Sequence, residues 1–260
     1  MKYKLISTDF DDTLLNDKKR VSEFTKETLY KYKEAGYIIV GVTARPLTAV
    51  TTILDINIFD YLILNNGSNI YDVKNNTFTN LNNISLDTLL KINSKYEDIC
   101  KNMAFITSDV YYTLRYLNDL PFNVILDKGL EEITVERINI MLDSTFSLDD
   151  EVAYINNNFD DIYAIIMQDS KSPLRWLTVS PKGVNKFNSL KLLGEKLNIE
   201  IDNMIFFGDG PNDLEIIGNV GLGISMKNAL DIVKKASKEE TEFTNDEDGV
   251  AKYLIKNIKI

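Results

Sequence analysis

The chain contains no histidine in its 260 residues. That absence removes the Ser-His-Asp triad, the Cys-His dyad and every histidine-ligated metal site. Acid–base work must then fall to carboxylates, lysine, tyrosine or a thiol. A metal would be held by oxygen, the ligand type of Mg²⁺. Cysteine occurs once, as Cys100. No internal disulfide can form, which fits a reducing cytoplasm. No apolar run approaches the ~20 residues of a membrane helix. Met1-Lys2-Tyr3-Lys4 leads straight into an acidic cluster, without the pattern of a secretory signal. A cytoplasmic protein is expected. Positive charge is scarce: 29 Lys and Arg face 39 Asp and Glu, a formal net charge of −10. Such a field repels nucleic acid and anionic lipid, so neither nucleic acid nor a membrane is an expected partner. It also repels phosphorylated metabolites, so a phosphate site here needs local positive charge.

What the chain does have is an ordinary globular composition, 44% hydrophobic and 26% charged, enough for one large domain or two modest ones. Residues 4–8 read as a strand, and Ser22 caps a helix that stops at Gly36. The apolar run Ile38-Ile39-Val40-Gly41-Val42 reads as a strand buried on both faces. A short helix from Thr48 to Leu54 and a strand Tyr61–Leu64 follow. This order suggests a parallel sheet with helices on its faces.

The pattern then changes. Residues 65–83 read as loop and hairpin, turning at Lys74-Asn75-Asn76. A helix is expected from Ser85 to Lys101, with Cys100 as a packing residue on it, then strands near 103–108 and 111–117. A helix near 131–143 and one capped by Ser147 come next, then strands 162–168 and 174–180 separated by Asp169-Ser170-Lys171-Ser172-Pro173. After Pro181 the first pattern resumes, with a helical stripe Phe187, Leu190, Leu193, Leu197 and strands at Met204–Phe207 and Val220–Ile224. The expected fold is α/β: a Rossmann-like parallel-sheet core with helices on both faces, residues 1–83 and 183–260, interrupted by an inserted α+β domain at 84–182.

The chemistry-bearing residues stand where core strands should end. Asp9-Phe10-Asp11-Asp12 closes the first strand, Thr43-Ala44-Arg45 the second, and Gly208-Asp209-Gly210-Pro211-Asn212-Asp213 a late one. Lys186 opens the 187–197 helix. Taken singly, each is read as well as a capped turn. Together they bring acids, a hydroxyl, a lysine and a helix N-terminus to one sheet edge, where open α/β sheets bind ligands. Mg²⁺ with a phosphate would satisfy them all.

The chain resembles the haloacid dehalogenase-like phosphatases, specifically the Cof-type group with a large inserted cap. The resemblance rests on Asp9-Phe10-Asp11-Asp12-Thr13, on Thr43 and Arg45, and on Asn66-Gly67. It continues through Pro181-Lys182-Gly183-Val184-Asn185-Lys186, the 208–213 motif, Asn228-Ala229 and Asp248-Gly249-Val250-Ala251. It implies that Asp9 is the nucleophile and forms an aspartyl-phosphate. Asp11 would protonate the leaving oxygen and then activate water. Mg²⁺ would be held by Asp9, the carbonyl of Asp11, and Asp209, with Asp213 supporting. Thr43, Lys186, Asn212 and backbone amides around Phe10 and Ala44 would bind the phosphoryl group, with Arg45, Asn66 and Gly67 at the substrate mouth. The inserted domain would be the cap that selects the substrate. Family usage has glycine where this chain has Ala44 and Phe187.

The implied activity is Mg²⁺-dependent hydrolysis of small phosphorylated metabolites, sugar phosphates first, with flavin or pyridoxal phosphates as alternatives, by a monomer or small homo-oligomer. A phosphomutase or phosphotransferase would use the same core. A signalling receiver, from a different class, shares the acidic cluster, hydroxyl and lysine but carries its accepting aspartate on a later strand. A non-catalytic Mg²⁺-binding protein would not need both Asp9 and Asp11.

Overall fold

The computed structural model describes residues 2–115, 123–168 and 174–260. Contacts divide the chain into two compact units. One is Met1–Arg45, Val50–Thr79 and Asn185–Ile260; the other is Pro46–Ala49 with Asn80–Val184.

The first unit begins β1 (Leu5–Thr8), α1 (Glu23–Glu34) and β2 (Ile38–Val42); after α2 (Leu47–Thr51), which is divided between the units, come β3 (Tyr61–Leu64), β4 (Asn69–Asp72) and β5 (Thr77–Asn80), whose last residue falls in the other unit. The second unit supplies α3 (Leu86–Tyr96), β6 (Cys100–Ile106), β7 (Tyr111–Thr113), β8 (Asn123–Ile125), β9 (Arg137–Leu142), α4 (Leu148–Asn158), β10 (Ile162–Gln168) and β11 (Arg175–Pro181). The first unit is then completed by α5 (Lys186–Leu197), β12 (Met204–Gly208), α6 (Leu214–Asn219), β13 (Leu222–Ser225), α7 (Asp231–Ala236), β14 (Glu239–Glu240) and α8 (Gly249–Asn257).

The sheet of the first unit runs β14-β13-β12-β1-β2-β3-β4-β5. From β14 to β3 its strands are parallel, and β4 returns antiparallel on β3. All four residues of β1 are fully buried. Successive strand residues point to opposite faces, so both faces of the sheet are covered, and that is why its strands read as unbroken apolar runs. Ser22 caps α1 by accepting the Thr25 N–H, and Gly36, at φ +94°, ends the turn beyond it. The Tyr32 hydroxyl reaches the Leu254 and Ile258 carbonyls at 2.6 Å, tying α1 to α8. Gly67 lies at φ +105°, and a Cβ there would stand 2.3 Å from the Asn185 carbonyl. Only glycine lets α5 approach this closely, and Ser189 Oγ seals the contact by donating to the Gly67 carbonyl at 2.7 Å.

The second unit is a sheet ordered β10-β11-β9-β6-β7-β8, antiparallel except between β7 and β8. Ser85 and Ser147 cap α3 and α4. Leu89, Ile92 and Tyr96 of α3 and Ile155 of α4 form one core with Met103, Phe105, Ile138, Ile140, Leu177 and Val179.

Two expectations fail here. The segment near 131–143 is not a helix: a single turn at Leu130–Glu132 leads into β9. The reason is visible in its burial. Ile138, Ile140 and Leu142 are core residues two apart, the period of a strand, and Ile138 and Ile140 are β-branched. Cys100 is also not helical. α3 stops at Tyr96, and Cys100 opens β6 as a buried packing residue whose thiol donates to the Glu97 carbonyl at 3.7 Å. The expected strand 111–117 ends at Thr113, with 116–117 outside the described residues, as is the expected connection Asp169–Pro173. No helix among the described residues is long and apolar enough to cross a membrane.

Candidate active site

Register decides where the acids meet. Thr8 pairs with Gly41 on one side and Phe207 on the other. The residues that follow β1, β2 and β12 therefore emerge side by side at one edge: Asp9, Thr43 and Asp209. After Asp9 the chain makes one wide turn over Phe10–Leu14, with Asp12 in the left-handed region at φ 56°. The Phe10 ring anchors this turn. It is fully buried, 5.3 Å from the Phe59 ring, and occupies the space where Gly41 lacks a Cβ.

Lys186, the first residue of α5, is 2% exposed. Its Nζ lies 2.9 Å from Asp9 Oδ1 and 2.7 Å from Asp213 Oδ1. Burial alone would lower the lysine's pKa, but Asp213 and Asp9 outweigh it and raise it, so this is a fixed cation. Asp213 is fully buried. Its Oδ2 accepts the Asp209 and Gly210 amides at 3.0 and 3.1 Å, so it holds the loop as well as Lys186. A Cβ on Gly208 would come within 2.6 Å of that oxygen. Thr13 Oγ1 donates to Asp209 Oδ1 at 2.7 Å.

Asp9, Asp209 and Asp213 each offer a carboxylate oxygen within 4.8 Å of the others. Burial, with Asp213 and Asp209 close by, pushes Asp9 well above the usual carboxylate range against the pull of Lys186. Burial and Asp213 likewise carry Asp209 up to about 7. Carboxylates crowded in this way resist joint ionisation unless a cation joins them. An all-oxygen set with Oδ1 of Asp9 and of Asp209 already engaged leaves one further oxygen on each, which fits a hard divalent cation such as Mg²⁺.

The remaining expected residues fall into two groups. Thr43 is buried at the end of β2, where its Oγ1 accepts the Arg45 N–H at 3.2 Å, and Ala44 lies between them. Asn212 Nδ2 donates to Asn66 Oδ1 at 3.1 Å, so these two amides form one side of the edge. Gly67 has the packing role described above. Arg45 grips Asp11 with two bonds, Nε to Oδ2 at 2.7 Å and Nη2 to Oδ1 at 2.8 Å.

Three features went unassigned in the sequence. Lys19 Nζ stands 2.8 Å from Asp11 Oδ1 and 3.6 Å from Asp12 Oδ1. It is aimed by a tight turn in which Asn16 Oδ1 accepts the Lys18 and Arg20 amides at 3.0 Å and Lys19 itself is left-handed, at φ 56°. Burial by itself raises Asp11, but the Arg45 and Lys19 cations bring it down to about 2. Thr13, quoted within the first motif, supports Asp209. Asn228 and Asn245 brace the turn: Asn228 Nδ2 donates to the Asp12 carbonyl and Asn245 Nδ2 to that of Leu15, at 2.7 and 2.9 Å. Asp248 accepts from Ser22 Oγ and Thr25 Oγ1. The turn-forming Asn16-Asp17 ahead of the Lys18-Lys19 pair was the one available signal for Lys19.

Similarity agrees with this geometry. The model of the haloacid dehalogenase-like hydrolase family matches residues 6–254. The 5-amino-6-(5-phospho-D-ribitylamino)uracil phosphatases YitU and YcsE of Bacillus subtilis are 27% and 28% identical, each over 96% of this chain and over 96% and 94% of their own lengths. A solved haloacid dehalogenase-like hydrolase from Bacteroides thetaiotaomicron superposes with TM-score 0.80 at 26% identity, covering 98% of this chain and 99% of that one. One from B. subtilis reaches 0.82 at 22% identity, over 98% and 100%, and so shares the fold. The chain belongs to the haloacid dehalogenase-like hydrolases.

Proposed function

We propose that this phosphatase is a Mg²⁺-dependent monoesterase of small phosphorylated metabolites and that Asp9 carries the phosphoryl group between substrate and water. The observation that carries the reading is the buried Lys186 between Asp9 and Asp213, inside a carboxylate trio at the sheet edge. It gives a chain of net charge −10 a local place for a phosphate.

In this reading the Asp9 carboxylate attacks phosphorus, the ester oxygen departs, and water later hydrolyses the acyl phosphate. Asp9, Asp209 and the Asp11 carbonyl would hold Mg²⁺, with Asp213 behind, and the ion would supply positive charge to the transferring group. Lys186 holds the Asp9 carboxylate in place. Thr43, Asn212 and amides near Phe10 and Ala44 receive phosphoryl oxygens. Asp11 protonates the leaving oxygen and then takes a proton from water. As held by Arg45 and Lys19 it is ionised, the form the second step needs. The first step needs both cations to turn toward the incoming anion.

The substrate class is small esters, with sugar phosphates first. Both named relatives act on a molecule with a 5-phospho-D-ribityl group, a phosphate on a polyol chain. The inserted unit carries the choice among such esters. The test is turnover of an aryl phosphate by wild type and Asp9→Asn, with chelator and with Mg²⁺ restored. Chelator should stop wild type, Mg²⁺ should restore it, and Asp9→Asn should be inactive in both. Activity of metal-free wild type contradicts the reading.

A further inference from the structure

The second unit buries a charge that the Asp9 site does not use. Arg137, the first residue of β9, is 4% exposed. Its Nε is buried and has no hydrogen-bond partner. No ion pair to Arg137 occurs among the described residues. The nearest acid in sequence, Glu136, accepts from Ser108 Oγ at 2.6 Å. Burial dominates the guanidinium and lowers its pKa in spite of Tyr111, Glu136 and Tyr163 nearby.

Its place on the sheet is defined. Ile138, Ile140 and Leu142 belong to the core shared with α3 and α4, so Arg137 and Asn139 lie on the opposite face. Across that face Arg137 pairs with Ile106, and Ile106 with Tyr111. One row along, Asn139 Nδ2 donates to the Tyr111 hydroxyl at 3.1 Å, and Thr178 Oγ1 donates to Asn139 Oδ1 at 3.0 Å. Arg137 thus sits beside an ordered polar row of phenol, amide and hydroxyl that carries no negative charge. A guanidinium taken out of water with no acid bonded to it is strongly unfavourable. Its planar fork matches an oxyanion held through two parallel N–H···O bonds.

We propose that Arg137 anchors a small oxyanion, a carboxylate or phosphate, on the face of this sheet turned away from α3 and α4. Two sources share that chemistry: a second anionic group on the ester substrate, or a free anion. The anion site stands on the second unit by itself; only its substrate source rests on the reading of Asp9.

The first measurement is the thermal midpoint of the full chain in chelator, with malonate and with its neutral counterpart malonamide. Malonate should raise the wild-type midpoint, malonamide should not, and Arg137→Met should lose the malonate shift. The second is kcat/KM, with Mg²⁺, for two phosphate esters of equal length, one ending in a carboxylate and one in a hydroxyl. A loss of ~10-fold or more in Arg137→Met confined to the carboxylate ester identifies the substrate as the source. An unchanged ester ratio with the malonate shift lost identifies a free anion. Should Arg137→Met not fold, Arg137→Lys keeps the charge, loses the fork and is expected to give the same two results. The proposal is overturned if malonate shifts wild type and variant alike, or neither, while the ester ratio also stays the same.

Discussion

At the scale of single residues, the site is a balance of a few charges. Asp9→Asn removes the proposed attacking carboxylate and a proposed ligand charge while leaving the size of the side chain unchanged. Turnover should fall by roughly three orders of magnitude or more, with the melting midpoint near that of wild type. Lys19 acts through Asp11. Lys19→Met removes one of the cations that bring Asp11 down to about 2, so the Asp11 titration moves up. In the proposed mechanism hydrolysis of the acyl phosphate needs the ionised form, so it should be lost as pH falls through that titration. With an aryl phosphate, whose leaving group needs no proton, the acid limb of kcat should lie at higher pH in Lys19→Met than in wild type. Coincident limbs would remove Lys19 from the account. Asp209 has the opposite sign. Its folded pKa is raised to about 7 from an ordinary 3.8, so between those values the folded metal-free chain binds more protons than the unfolded one. Stability in chelator should therefore fall as pH rises from about 4 to about 7. Mg²⁺ should protect more at pH 8 than at pH 5, which midpoints at both values will show.

At the scale of elements, the strands of the first sheet were legible because burial on both faces leaves unbroken apolar runs at Ile38–Val42, Tyr61–Leu64 and Met204–Phe207. Parallel order then brings their far ends together, so the acids could be grouped from sequence. The second unit was less legible. In β9 core residues alternate with Arg137 and Asn139, but the run is only six residues long and follows Glu131, Glu132 and Glu136, and so short a run is not told from a helix by periodicity alone. Lys19 was hidden because its aim depends on a left-handed backbone within a side-chain-closed turn. The pairing of Arg45 with Asp11 was hidden because an arginine at a site mouth could equally face substrate. Gly208 links β12 to the acids it delivers. A methyl at this position would press on Asp213 Oδ2, so Gly208→Ala should raise the Mg²⁺ concentration needed for half activity by ~10-fold or more. Saturating Mg²⁺ should recover much of kcat. An unchanged Mg²⁺ dependence would mean that Asp213 does not shape the metal site.

At the scale of the whole molecule, an acidic chain gathers positive charge at one sheet edge, Lys186 between acids and Arg45 with Lys19 on Asp11, where the proposed anionic substrate needs it. Membership in the haloacid dehalogenase-like hydrolases, matched over residues 6–254, sets the receiver alternative aside. Hydrolase and phosphotransferase still differ in the acceptor, and product analysis with added polyol separates them. Every version of the account requires that phosphorus be bonded to Asp9 during turnover. The most direct test is acid quench of the enzyme in mid-turnover with an aryl phosphate and Mg²⁺, followed by peptide mass analysis, in wild type and in Asp11→Asn. The account predicts one phosphoryl group on the peptide containing Asp9, more of it in Asp11→Asn because its removal is slowed, and none in Asp9→Asn. Turnover with no phosphoryl group on Asp9 at any quench time, or with the group on another residue, would contradict it.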